Sequence, residues 1–119
     1  MTQAALVILY VDDPARSARF YEALLGVPPI EESPTFALLP LREGLALGLW
    51  SRHTVEPGAE AAGGGGEIAF TTDDVDATHA DWANRGLAIL QPPTDLDFGR
   101  TFVALDPDGH RLRVFRPGP

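Results

Sequence analysis

The sequence predicts an α+β fold: two βαβββ modules forming a curved eight-stranded mixed sheet with a concave ligand cleft. Three observations carry that expectation. The stretch Leu6 to Gly26 reads as strand, Asp-Asp corner, helix and glycine stop, and Glu67 to Gly86 repeats it, with Asp12-Asp13 and Asp73-Asp74 61 positions apart. Thr35-Phe-Ala-Leu-Leu-Pro40 recurs as Thr101-Phe-Val-Ala-Leu-Asp106 at a spacing of 66. A single βαβββ unit leaves one sheet face bare, and two units packed edge to edge resolve this, with helices on the convex side and a cleft on the concave one.

Each element has its own local cause. Leu6 to Val11 is apolar and rich in β-formers, hence a strand. Asp13-Pro14 starts a helix, because an acceptor side chain precedes a proline at the first helical position. Ala18, Phe20, Tyr21, Leu24 and Leu25 then recur at helical spacing, and Gly26 stops the run. Val27 to Ile30, with two prolines, supplies only a short or edge strand. Phe36–Leu41 and Leu45–Ser51 are strands around the Arg42-Glu43-Gly44 turn. Residues 52–66, ending in four glycines, read as a mobile linker between module one (1–51) and module two (67–119) of a single 119-residue domain. Module two predicts a strand over 67–72, a helix over 75–85, a Gly86 stop, a short strand over 87–90 and a loop from Gln91 to Gly99. A hairpin of Thr101–Leu105 and His110–Arg116 closes it around Asp106-Pro-Asp-Gly109, where proline fixes φ and glycine supplies a positive φ.

Composition narrows the function classes. The chain is 45% hydrophobic, enough for a packed core. No apolar run approaches the roughly 18 residues of a membrane helix, so no membrane partner is expected. A net charge of -8 disfavours nucleic acid, whose phosphates need a basic surface. Cysteine is absent, which removes thiolate metal sites and disulfides. The N-terminal Met1-Thr-Gln-Ala-Ala carries no basic secretory n-region, so a cytoplasmic location is expected. The serines lack a nucleophile elbow, and the tetraglycine lacks the Lys-Ser/Thr of a phosphate loop.

Three motifs together resemble the vicinal oxygen chelate superfamily, the glyoxalase, bleomycin resistance protein and dioxygenase fold. They are Val11-Asp-Asp-Pro-Ala-Arg-Ser-Ala-Arg-Phe-Tyr21 with Leu25-Gly26, Thr72-Asp-Asp-Val-Asp76 with Gly86, and Asp106-Pro-Asp-Gly109 before the last strand. Within it, Leu47 to Pro57 and Thr101 to Phe115 are most similar to the phenazine antibiotic resistance subgroup, which sequesters an aromatic ligand without metal. The resemblance implies metal-ligand positions on strands one, four, five and eight, here Leu6, Gly48, Glu67 and Arg113. Leucine and glycine offer no donor atom, arginine repels a divalent ion, and one carboxylate falls short of the three protein ligands a catalytic metal needs. No metal, no cofactor and no catalytic residue is therefore expected. Glu67 and Arg113, pointing into the same cleft from neighbouring strands, either pair with each other or are each solvated separately at the cleft mouth. His53, His79 and His110 fall on separate elements without ligand spacing and read as solvated or capping groups.

Strand alternation fixes which side chains line the cleft. Ile8 and Tyr10 accompany Leu6, and Trp50 and Ala46 accompany Gly48. Ala69 and Thr71 accompany Glu67, and Phe115 accompanies Arg113. Gly48 removes bulk beside Trp50 and leaves space for a flat ligand, while Arg113 can pair with a ligand carboxylate. Trp50 serves equally as a core or interface residue, and Trp82 reads as helix packing. Phe36 and Phe102 are repeat equivalents whose facing depends on register. Phe98 reads either as a lid over the cleft or as a loop anchor. The leading expectation is a homodimer that sequesters a planar aromatic, antibiotic-like small molecule. The alternatives are a glyoxalase- or dioxygenase-like enzyme with a non-standard metal site, a metal-free isomerase or lyase with Glu67 as base, and a ligand sensor.

Overall fold

A computed structural model describes residues 3–60 and 63–117 of the chain; residues 61 and 62 of the expected linker and the last two residues lie outside the described part. The chain divides into two compact units, Met1–Ala62 and Gly63–Pro119.

The first unit runs β1 (Leu6–Val11), α1 (Pro14–Leu25), β2 (Glu31–Glu32), β3 (Phe36–Arg42) and β4 (Leu45–Ser51). Its four strands form one mixed sheet in the order β1-β4-β3-β2, with β1 parallel to β4 and the remaining pairs antiparallel. The second unit repeats this with β5 (Glu67–Thr71), α2 (Val75–Asn84), β6 (Ala88–Leu96), β7 (Gly99–Leu105) and β8 (Arg111–Pro117). Its order is β5-β8-β7-β6, with β5 parallel to β8. The eight strands and two helices of the α+β expectation are thus present, four strands to each unit's sheet.

The helix starts follow from the repeated Asp-Asp corners. The Asp13 carboxylate accepts from the Ala15 and Arg16 amides at 3.0 and 3.3 Å, and Asp74 accepts from Ala77 at 3.0 Å. Each satisfies amides that the helix itself leaves without a partner. Gly26 takes φ 74° and donates to the Glu22 carbonyl at 2.9 Å, which closes α1 as the sequence predicts. Along α1 the buried positions are Pro14, Ser17, Ala18 and Tyr21, one stripe at helical spacing. That stripe packs on β3 and β4, where Ala37, Leu39, Leu47 and Leu49 are fully buried. In the second unit Val75 and Trp82 of α2 pack toward Phe102, Ala104, Leu112 and Val114. The Trp82 ring meets Phe70 and Phe102 edge-on at 5.8 and 5.4 Å, so it is the packing residue its spacing predicts.

Two expectations are corrected. The segment from Gln91, expected as a loop, is strand as far as Leu96. Pro92-Pro93 is tolerated because β6 is the outer strand of its sheet, and the register shifts between Gln91 and Thr94 absorb the missing amides. The short strand expected over 27–30 lies instead at Glu31–Glu32. Within the expected linker, Val55 is 6% exposed and its amide donates to the Ser51 carbonyl at 3.0 Å. A Cβ on Gly63 would stand 2.3 Å from the Gly109 carbonyl carbon, so the start of the tetraglycine lies directly on the β7–β8 turn.

Candidate functional site

In each unit the helix covers one sheet face, and the opposite face carries the residues that alternation selects. In the first unit the register sets Ile8 beside Gly48, Tyr10 beside Trp50 and Phe36 beside Trp50. Leu6 and Ile8 are exposed, while Tyr10, Phe36 and Trp50 are half-buried. The Phe36 and Trp50 rings meet edge-to-face, with centroids 6.2 Å apart at 87°. The open space expected over Gly48 does not exist. A Cβ there would lie 3.0 Å from Phe36 Cζ and 3.3 Å from Ile8 Cγ1, because the Phe36 ring lies across the glycine. Glycine at 48 therefore admits the protein's own phenylalanine, and Trp50 with Tyr10 is what remains for a ligand on this face.

In the second unit, Arg113 is the centre of the face away from α2. Its Nε donates to Glu67 Oε1 at 2.6 Å and its Nη1 donates to Thr101 Oγ1 at 3.2 Å. Of the two arrangements open to these residues the ion pair is the one formed, with the arginine side chain 18% and the glutamate 34% exposed. Thr101 is fully buried and its hydroxyl donates a hydrogen bond to the Val114 carbonyl at 2.8 Å, which leaves a lone pair to accept from the guanidinium. Phe98 stands at the β6–β7 hairpin tip with its ring centroid 5.8 Å from Arg113 Cζ. The same ring meets Phe115 edge-to-face at 5.9 Å. This cation–π and aromatic group is a surface on which a flat molecule can stack.

Phe102 is corrected. It is fully buried on the helix side, with its ring 5.3 Å from His79 and 5.4 Å from Trp82. The register explains why. Thr101 pairs with Phe115 as Phe36 pairs with Trp50, so Thr101 and not Phe102 is the equivalent of Phe36. The true spacing of these strands is therefore one residue shorter than the Thr-Phe match suggests, and a shift of one residue turns a side chain to the other face.

The four positions the resemblance assigns to metal ligands offer few donors. Leu6 and Gly48 present none, and the Glu67 carboxylate is held by Arg113. Among the described residues no group of three or more His, Asp or Glu side chains is arranged to hold a metal ion. His79 stacks on Phe102. His53 Nε2 lies 2.7 Å from Asp12 Oδ1, which also accepts from Arg52. The His53 hydrogen bond first, and Arg52 after it, hold the Asp12 carboxyl below its usual range.

A second cluster escaped the sequence reading. Arg100 donates Nε and Nη2 to the two oxygens of Asp76 at 3.0 and 2.9 Å, and Nη1 to Asp95 at 3.0 Å. The Arg100 fork lowers the Asp76 pKa, while the two carboxylates, Asp76 foremost, raise that of the guanidinium. The signal lay in register: once β6 is recognised as a strand through Leu96, Asp95 falls directly opposite Arg100.

A family model for the Glyoxalase/Bleomycin resistance protein/Dioxygenase superfamily matches residues 3–114. The phenazine antibiotic resistance protein EhpR of Enterobacter agglomerans is 33% identical over 115 residues, covering 92% of this chain and 88% of that protein. A protein of Agrobacterium tumefaciens, known from a solution NMR structure, is 55% identical with a TM-score of 0.90 over 100% of both chains. The antibiotic binding protein TnmS3 of Streptomyces sp. CB03234 shares the fold at 24% identity, with a TM-score of 0.75 over 99% of this chain and 98% of that one. A match spanning nearly all of the chain, with the βαβββ repeat and both Asp-Asp corners in place, means that this protein belongs to the Glyoxalase/Bleomycin resistance protein/Dioxygenase superfamily.

Proposed function

We propose that this protein binds a planar aromatic small molecule of the phenazine-antibiotic kind without a metal ion, and that it acts by sequestering the ligand rather than by converting it. The observation that carries this reading is the Glu67–Arg113 ion pair at 2.6 Å, set on a helix-free face beside Phe98 and Phe115. The pair occupies the one carboxylate among the four positions where relatives' metal ligands are expected. A metal would have to displace the guanidinium and would then find too few donors. Glu67 is equally unsuited as a general base, since its Oε1 is already taken up by the Arg113 Nε–H and is not presented to a substrate proton. The helix-free face of the first unit has aromatic surface of its own in Trp50 and Tyr10. The 33% identity to a phenazine antibiotic resistance protein supports the ligand class.

The working form in this proposal is a homodimer. β1 and β5 are outer strands of their sheets, and Leu6, Val7 and Ile8 on β1 are all exposed. Bare apolar strand edges are commonly covered by another chain.

The test is a tryptophan fluorescence titration with phenazine, in EDTA and again with added Ni²⁺, Zn²⁺ or Fe²⁺. Saturable quenching that is indifferent to metal and lost in Trp50→Phe is expected. Trp82, 8% exposed, supplies the unresponsive background. Binding that appears only with metal present would overturn the reading in favour of a metalloenzyme.

A further inference from the structure

The fork made by Arg100 lies on the helix side of β7, the opposite face from the Arg113 cluster, and no role for it follows from ligand binding as described above. Its placement is nevertheless specific. Asp95 and Arg100 face each other across the β6–β7 hairpin, one pair below the closing pair Leu96 and Gly99. Only Asp97 and Phe98 lie between those strands. Gly99 takes φ 137°, a conformation open to glycine, so the tip turns sharply. Asp76 lies in the first turn of α2. Arg100 therefore ties both strands of the hairpin base to the helix, using three of its donors on two carboxylates. A bidentate guanidinium–carboxylate contact fixes direction as well as distance, which a lysine at that position could not do.

We propose that Arg100 is the positioning residue for Phe98: by forking between Asp76 and Asp95 it holds the hairpin tip so that the Phe98 ring covers the Arg113 guanidinium and the edge of Phe115, and so controls access to that face. Phe98 is itself 45% exposed. Its position depends on the direction in which the hairpin base points. The first unit ties its helix to its outer strand differently, through Arg19 of α1 and Glu32 of β2. The residues matching Arg100 and Asp76 there are Thr35 and Ala15, and β2 is only two residues long.

The inference rests on the proposed ligand-binding reading for its functional arm only; its structural arm is independent of any ligand. Hydrogen exchange is measured on the full chain without ligand, for wild type, Arg100→Gln and Arg100→Lys. Exchange of the amides of residues 97–99 should rise roughly two- to fivefold in Arg100→Gln, as expected when exposed ion pairs holding a local opening are removed. Arg100→Lys should give an intermediate rise, while peptides over Leu112 and Val114 stay unchanged. In the functional arm, phenazine release in stopped flow should accelerate by a similar factor in Arg100→Gln. Unchanged exchange at the tip would overturn the proposal. So would a rise spread evenly over β8, which would make Arg100 a general stability contact. If wild-type protein fails to bind phenazine, the ligand reading fails, and the exchange result still decides the role of Arg100.

Discussion

Replacing Gly48 with alanine tests whether this glycine exists to seat Phe36. The added Cβ would lie 3.0 and 3.1 Å from Phe36 Cζ and Cε1, about 0.4 Å inside the 3.4 Å at which ordinary contact begins. Gly48 does not have a positive φ, so the backbone tolerates alanine and the main obstacle is the ring, with Ile8 Cγ1 at 3.3 Å a lesser one. Overpacking of this kind costs about 1–3 kcal/mol. The lower end applies, because Phe36 is half-buried and its ring can tilt outward. Against this, alanine restricts the unfolded chain and returns about 0.4–1 kcal/mol. The net expectation is a loss of about 0.5 kcal/mol, or about 2 °C in Tm for a domain of this size. In a Phe36→Ala background the ring is gone and only the slight Ile8 contact remains, so Gly48→Ala should be neutral or stabilising by up to about 0.5 kcal/mol. Urea unfolding of the four proteins, followed by far-ultraviolet circular dichroism, gives a coupling energy of about 0.5–1 kcal/mol if the ring is the cause. Equal cost of Gly48→Ala in both backgrounds would refute the reasoning, and so would stabilisation in the wild type. The Trp50 emission of Gly48→Ala should also shift, because a tilted Phe36 ring changes the edge contact with the indole.

Two further expectations concern charge. Glu67→Gln and Arg113→Met should each lower stability by about 1 kcal/mol, with a double-mutant coupling of about 0.5–1.5 kcal/mol for a partly exposed pair; a coupling of zero by urea unfolding would show that the 2.6 Å contact carries no net energy. Acid should weaken the fold through Asp12 and Asp76. Both are held below the carboxyl value of 3.8 in the folded chain, so their contribution is complete above the unfolded pKa and is lost as pH falls through the lower folded values. Tm measured from pH 6 to pH 2 should fall steeply below about pH 4, and Asp76→Asn should flatten part of that slope; an unaltered slope would dismiss the Arg100–Asp76 pair as its source.

The sequence made legible what depends on signals local to one element. Asp-Pro and Asp-Val corners, helical spacing and stop glycines place α1 and α2 to within a residue. The shared face of Glu67 and Arg113 was readable because alternation along β5 and β8 needs no knowledge of loops. Phe102 was not readable, because its facing depends on a register that two similar hairpins do not share residue for residue. Thr35-Phe36 and Thr101-Phe102 look alike, yet Phe36 pairs with Trp50 while it is Thr101 that pairs with Phe115. β6 was hidden for a different reason. A Pro-Pro pair argues against a central strand and is silent about an outer one, and only the sheet order shows that β6 is outer. Arg100 with Asp76 and Asp95 followed β6 out of view.

The correct register also shows that the two units differ by paired changes rather than by isolated ones. Where the first unit has Gly48, with no side chain, the second has Arg113, with one of the longest. At the neighbouring strand Phe36 is matched by Thr101, an exchange in the opposite direction. The large ring lies over the glycine, and the large guanidinium lies beside the small hydroxyl, which gives it a hydrogen-bond acceptor. Leu6 and Glu67 complete the logic, since a carboxylate is useful beside an arginine and would have no cation to meet beside Gly48 and Ile8. One backbone thus carries an aromatic, uncharged face in one unit and an ion-paired face in the other. An arginine placed at 48 would meet the Phe36 ring within its first atoms, and a phenylalanine at 101 would take the hydroxyl from Arg113. Each pair therefore holds its partner's identity fixed.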